Sequence, residues 1–122
     1  MDSSTTLLII DDEEPIRKLT KRILKRFTIE TLDASTGNEG LEQLKQHQEE
    51  IDGILLDLHL PDGTGEEWAG KYREICTDLP IIFFSGASRP SYCSDDTTGL
   101  NHFIKKPFTT LSMQGIVKDV FS

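Results

Sequence analysis

Short apolar runs alternate along the chain with longer stretches in which apolar residues recur every three or four positions. "LLII" (residues 7–10) reads as a buried strand that ends on Asp11 and Asp12. In "EEPIRKLTKRILKRF", Pro15 suits the first turn of a helix, and Ile16, Leu19, Ile23, Leu24 and Phe27 give it an inner face. "TIETLDA" reads as a second strand, followed by a helix over residues 38–48 that carries Leu41 and Leu44. "GILLD" is the third strand, and the glycines of "PDGTG" permit a tight loop. A helix over residues 66–75 places Trp68, Tyr72 and Ile75 on one side. "PIIFFS" and "HFIK" are the fourth and fifth strands, and a helix over residues 110–121 carries Leu111, Ile116, Val117 and Val120. Between the last two strands, residues 89–98 ("RPSYCSDDTT") fall where a helix is due but are polar and rich in poor helix formers. That segment is expected to be short, distorted or mobile.

Strands in strict alternation with helices predict a parallel sheet covered on both faces, joined by right-handed crossovers. In such a doubly wound α/β fold, functional groups gather beyond the carboxyl ends of the strands. There stand Asp11 and Asp12 (first strand), Asp57 (third), Ser85 (fourth) and Lys106, just past the fifth. Three carboxylates within about 4 Å would repel by about 4 kcal/mol per pair at an effective dielectric near 20. Oxygen-only ligands point to Mg²⁺ or Mn²⁺ as the compensating charge, with Lys106 supplying the remainder. Each residue also has an ordinary role available. Asp11 and Asp12 suit a helix N-terminus, Asp57 and Ser85 suit turns, and Lys106 suits a solvated surface. What distinguishes them is that one fold brings all five to one edge.

Composition narrows the choice. At 122 residues the chain fits one domain spanning residues 1–122, with its core at about 7–121. No apolar run approaches the roughly 20 residues that cross a bilayer, and "MDSSTT" lacks signal-peptide character. Cytoplasmic location, with no membrane association, is the expectation. Cys76 and Cys93 have neither metal-ligand spacing nor a disulfide framework, and read as reduced thiols. A net charge of −8 argues against nucleic acid as a partner. Six of the 13 basic residues nevertheless fall within residues 17–26, with no acid among them. Arg17, Lys18, Lys21, Arg22, Lys25 and Arg26 cannot all be core, so the first helix presents either a solubilising stripe or a docking surface for an acidic partner.

Four stretches together carry a family resemblance: "LLIIDDEEPIRK", "GILLDLHLPDGTG", "PIIFFSGA" and "HFIKKPF", in that order. The chain resembles the receiver domain of two-component response regulators over about residues 7–121. The resemblance implies a CheY-like, flavodoxin-like five-stranded parallel sheet in the order 2-1-3-4-5 with five helices. It implies that Asp57 accepts a phosphoryl group, and that Asp12, Asp57 and the His59 main-chain carbonyl bind Mg²⁺, with Asp11 acting through water. Ser85 and Lys106 would contact the phosphoryl oxygens, and Phe103 would be the switch aromatic. His59 and Ala87 occupy positions that tune how long the phosphate survives. His59 is an unusual residue there, and no lifetime follows from it. The implied partner is a sensor histidine kinase or histidine phosphotransfer protein, meeting the first helix through Arg17, Lys18, Lys21, Arg22 and Lys25. A downstream protein target or output domain would receive the signal, from a monomer or a phosphorylation-dependent homodimer. The chain would be no enzyme beyond promoting its own phosphorylation and dephosphorylation. It would be a stand-alone receiver or one piece of a longer regulator or hybrid kinase.

Two other classes compete. A Mg²⁺-dependent aspartyl phosphohydrolase would want an acid two residues after the nucleophile, where this chain has His59, and a cap insertion that it lacks. A receiver-like module that is not phosphorylated would have lost an acid or the lysine, and a flavodoxin-like cofactor binder would need a Gly/Ser/Thr-rich loop after the first strand. Neither feature is found.

Overall fold

The computed structural model describes residues 5–87, 89, 90, 93 and 98–121. Strand β1 (Thr6–Ile10) leads into helix α1 (Glu14–Lys25), then β2 (Glu30–Ala34) and α2 (Gly37–His47). Strand β3 (Gly53–Asp57) is followed by a small hairpin of β4 (His59–Leu60) and β5 (Gly63–Thr64), then α3 (Gly65–Ile75). β6 (Ile81–Ser85), β7 (Asn101–Lys105) and α4 (Thr110–Phe121) complete the chain. The main sheet runs β2-β1-β3-β6-β7 with every pairing parallel, which is the expected order. Among the described residues there are four helices where five were expected. The fifth was assigned to residues 89–98, most of which lie outside the described residues.

Side chains alternate across the sheet, so each strand feeds two cores. Leu8, Ile10, Ile54, Leu56, Ile81 and Phe83 pack on one face with Leu44 of α2 and with Trp68 and Tyr72 of α3. Leu7, Ile9, Leu55, Ile82 and Phe84 pack on the other with Ile23 and Leu24 of α1 and with Met113 and Val117 of α4. All five residues of β3 and all five of β6 are buried, because these central strands are covered on both faces. Truncating Leu55 to alanine there costs about 2–5 kcal/mol.

Two helix faces differ from expectation. Leu19 is exposed, and Thr20 is buried in its place, its hydroxyl donating to the Ile16 carbonyl at 2.7 Å. Ile16, Thr20, Ile23, Leu24 and Phe27 form the true inner arc, and Leu19 lies on its flank. On α4, Leu111 is 77% exposed while Met113 is fully buried. Met113, Ile116, Val117 and Val120 keep the i, i+3, i+4, i+7 spacing that faces a core, and Leu111 is off that arc.

The β4–β5 hairpin was expected only as a loop. His59 pairs with Thr64 and Leu60 with Gly63. Gly63 adopts φ +145°, a conformation that side-chain-bearing residues rarely reach. Thr64 then starts α3 with a capping box: its hydroxyl accepts from the Glu67 amide, and the Glu67 carboxylate accepts from the Thr64 amide. Gly65 sits directly behind Asp57. A Cβ there would come within 2.7 Å of the Asp57 carbonyl oxygen, so only glycine lets α3 begin so close to the end of β3.

Candidate acidic pocket at the strand ends

β1, β3, β6 and β7 all end at the same edge, and the register sets their last residues side by side. Asp57 lies opposite Phe84 and Ser85 opposite Lys105, and the Lys106 amide donates to the Ser85 carbonyl at 2.8 Å. The Lys106–Pro107 peptide is cis. From this position the Lys106 ammonium reaches three carboxylates: Asp11 Oδ2 at 3.0 Å, Glu13 Oε1 at 3.3 Å and Asp57 Oδ2 at 3.4 Å. It also lies 4.8 Å from the centre of the Phe84 ring, within cation–π range. One carboxylate oxygen from each of Asp11, Asp12, Glu13 and Asp57 lies within 4.8 Å of the others.

The acids differ in environment. Asp11 is fully buried and Asp57 nearly so, while Asp12 and Glu13 are exposed. Asp11 accepts from the Glu13 amide at 2.9 Å, and its own amide donates to the Ala34 carbonyl. Burial, aided by the neighbouring Asp57 charge, pushes the Asp11 carboxyl up to about 6, against the opposing pull of the Glu13 amide and Lys106. Lys106 moves upward from its ordinary value. Burial opposes its charge, but bonding to Asp11 and the charges of Asp11 and Asp57 outweigh that. The two shifts have different origins: burial dominates at Asp11, while the surrounding carboxylates dominate at Lys106.

The other expected residues sit around this centre. Ser85 is buried, and its hydroxyl accepts from the Ala87 amide at 3.0 Å. The His59 amide donates to Asp57 Oδ1 at 3.2 Å, and its side chain is exposed. Phe103 is buried in the core on the α3 side, with the Arg89 guanidinium 5.8 Å from its ring centre. The basic stripe of α1 divides. Lys18, Arg22, Lys25 and Arg26 are exposed, and Lys18 pairs with Glu14 on its own helix. Arg17 and Lys21 instead turn toward Asp33 at the end of β2.

Three participants escaped the reading of the sequence. Glu13, next after Asp11 and Asp12 along the chain, shares Lys106 with Asp11 and Asp57. Asp33 stands at the same sheet edge, one residue before the end of β2, and the strand-end rule that picked out Asp57 would have found it. Asp62 accepts from the Gly37 and Asn38 amides at 2.8 and 2.9 Å, tying the loop after Asp57 to the N-terminus of α2. Trp68 braces the same loop by donating to the Asp62 carbonyl.

Comparison with known proteins agrees with the architecture. The response regulator receiver domain family matches residues 7–118. Transcriptional regulatory protein SrrA of Staphylococcus aureus is 34% identical over 106 residues, covering 87% of this chain and 43% of SrrA. Sensor histidine kinase CheAY of Helicobacter pylori is 30% identical over 119 residues, covering 95% of this chain and 15% of CheAY. The chain thus spans less than half the length of these curated relatives. Chemotaxis protein CheY4 of Vibrio cholerae superposes with a TM-score of 0.86, covering 98% of this chain and all of that one, at 22% identity. That likeness speaks to the fold. With the family match spanning nearly the whole chain, this protein belongs to the response regulator receiver domain family, and its fold is CheY-like.

Proposed function

We propose that Asp57 is the phosphoacceptor of this receiver domain. The observation that carries the reading is the convergence of the Asp11, Asp12 and Asp57 carboxylates on one strand edge, with Lys106 paired to Asp11 and Asp57. The donor is a phosphohistidine on a sensor histidine kinase or histidine phosphotransfer protein, and small acyl phosphates can replace it. A carboxylate oxygen of Asp57 forms a bond to phosphorus while the phosphorus–nitrogen bond breaks, and the imidazole nitrogen keeps that electron pair. The product is an aspartyl phosphate. Such transfer needs chiefly alignment and neutralisation of the phosphoryl oxygens.

The donor set fits a hard divalent cation, because every available ligand is oxygen. Asp12, Asp57 and the His59 carbonyl would hold Mg²⁺, with Mn²⁺ as a substitute and Asp11 acting through water. When bound, the ion supplies positive charge against the phosphoryl oxygens. Lys106 adds its ammonium, and the Ser85 hydroxyl, whose oxygen accepts from the Ala87 amide, has its own proton to donate to a phosphoryl oxygen. His59 and Ala87 border the opening and set how readily water reaches the acyl phosphate.

The new charge, about −1.5 to −2, shifts the population toward whichever state contacts the phosphoryl oxygens better. Ser85 and Phe103 are the switching pair. Phe103 is buried against the sheet core in this structure. The exposed α1 cations Lys18, Arg22 and Lys25 face the histidine-bearing partner. A downstream protein or output domain reads the change, from a monomer or a phosphorylation-dependent dimer.

Incubation with acetyl phosphate, followed by intact-mass measurement, tests the reading. The expected result is one added phosphoryl group that requires Mg²⁺ and is absent in Asp57→Asn. Equal labelling of that variant, or labelling that ignores a chelator, would refute it.

A further inference from the structure

Arg17 sits on the basic stripe of α1 but does not belong to its outer face. Its side chain is only 16% exposed. One guanidinium nitrogen (Nη1) donates to the Asp11 carbonyl at 2.7 Å, and Nε donates to Asp33 Oδ2 at 3.3 Å. Asp33 is in turn approached by Lys21 Nζ at 3.5 Å. The Asp11 carbonyl and the Asp12 amide belong to one planar peptide unit. Whatever fixes that carbonyl therefore fixes the unit from which both carboxylates project. The Asp11 amide is held independently by Ala34 at the end of β2, so the turn after β1 is pinned to β2 twice, once through main chain and once through Arg17.

We infer that Arg17, oriented by Asp33, is a positioning residue for the cation pocket. It acts by clamping the Asp11–Asp12 peptide rather than by meeting a partner protein. A planar fork suits the task, since one guanidinium can serve a carbonyl and a carboxylate in different directions. This inference rests on the reading of the pocket as a Mg²⁺ site.

Charge and position predict opposite signs, which makes the clamp testable. On charge alone, removing a cation beside an acidic pocket tightens Mg²⁺. Loss of an orienting partner weakens it, typically by about 10- to 100-fold for groups one step removed from a metal.

Calorimetric Mg²⁺ titration of wild type, Arg17→Gln and Arg17→Lys decides between them, with circular dichroism verifying that each variant is folded. The expected result for Arg17→Gln is a loss of affinity within that range. Phosphorylation by acetyl phosphate should recover toward the wild-type rate at saturating Mg²⁺. Arg17→Lys keeps the charge but reaches only one acceptor, so it should fall between the two. Should Arg17→Gln not fold, the lysine variant carries the test, because charge alone predicts that it equals wild type. Unchanged or tighter Mg²⁺ binding in the folded variants would overturn the clamp while leaving the pocket reading intact. A wild-type chain that binds no Mg²⁺ would overturn the pocket reading and the clamp with it.

Discussion

Removing the Asp11 charge should stabilise the metal-free protein at neutral pH, and the gain should depend on pH in a definite way. Asp11 is fully buried, and its carboxyl rises from 3.8 to about 6 on folding. Because the folded value is the higher one, protonated Asp11 contributes stability that is fully present below 3.8 and lost as pH rises through about 6. At 1.36 kcal/mol for each tenfold change, that contribution is about 3 kcal/mol. Asp11→Asn keeps an oxygen for the Glu13 amide but has no charge to lose. Its bond from Lys106 is weaker, so its absolute stability at any one pH is less informative than the trend. The stability of Asp11→Asn minus that of wild type should therefore climb by about 2–3 kcal/mol between about pH 4 and pH 7, with most of the rise between 4 and 6. Lys106 is shifted upward from an already high value and stays charged throughout that range. Urea unfolding of both proteins in chelator, at several pH values, measures the difference. Saturating Mg²⁺ should narrow the difference at neutral pH by as much as the variant binds the ion more weakly, since ligand at 100 times its dissociation constant adds about 2.7 kcal/mol to the state that binds it. A difference that is flat with pH, or that falls, would refute the claim that Asp11 is strained by burial beside Asp57.

Three further outcomes follow from the surroundings of the pocket. Asp62→Ala removes the acceptor for two amides in the first turn of α2; it should cost about 1 kcal/mol and speed hydrogen exchange at Gly37 and Asn38. Gly37→Ala would place a Cβ 2.2 Å from the Trp68 indole; overpacking of that kind costs about 1–3 kcal/mol, and Trp68, as the single tryptophan, should report it by a changed emission spectrum. Arg22→Glu with Lys25→Glu reverses the exposed end of α1; phosphoryl transfer from the histidine-bearing partner should slow, steeply at low salt, while labelling by acetyl phosphate is spared.

The fold was legible because its signals are local and repeated. β3 and β6 are continuous apolar runs, α1 and α4 keep helical spacing, and the alternation of the two fixes a parallel sheet. Asp57 and Lys106 could be read for the same reason: each stands at or just past the end of an unmistakable strand. What could not be read depends on contacts between distant segments. Thr20 replaces Leu19 on the inner face of α1 because its hydroxyl is satisfied within the helix, a detail that periodicity does not carry. Arg17 looked like its exposed neighbours, and only the proximity of Asp33 and the Asp11 carbonyl turns it inward. Glu13 joins the pocket through a lysine 93 residues away. Side-chain direction at a helix start is set by such tertiary partners, and they are invisible in a linear pattern.

Borohydride reduction of the labelled protein addresses the central claim most directly, because it converts an aspartyl phosphate to homoserine at the residue that carried it. After treatment with acetyl phosphate and Mg²⁺, peptide sequencing by mass spectrometry should find homoserine at position 57 and at no other aspartate. Homoserine elsewhere, or a phosphoryl group that survives borohydride intact, would contradict the account.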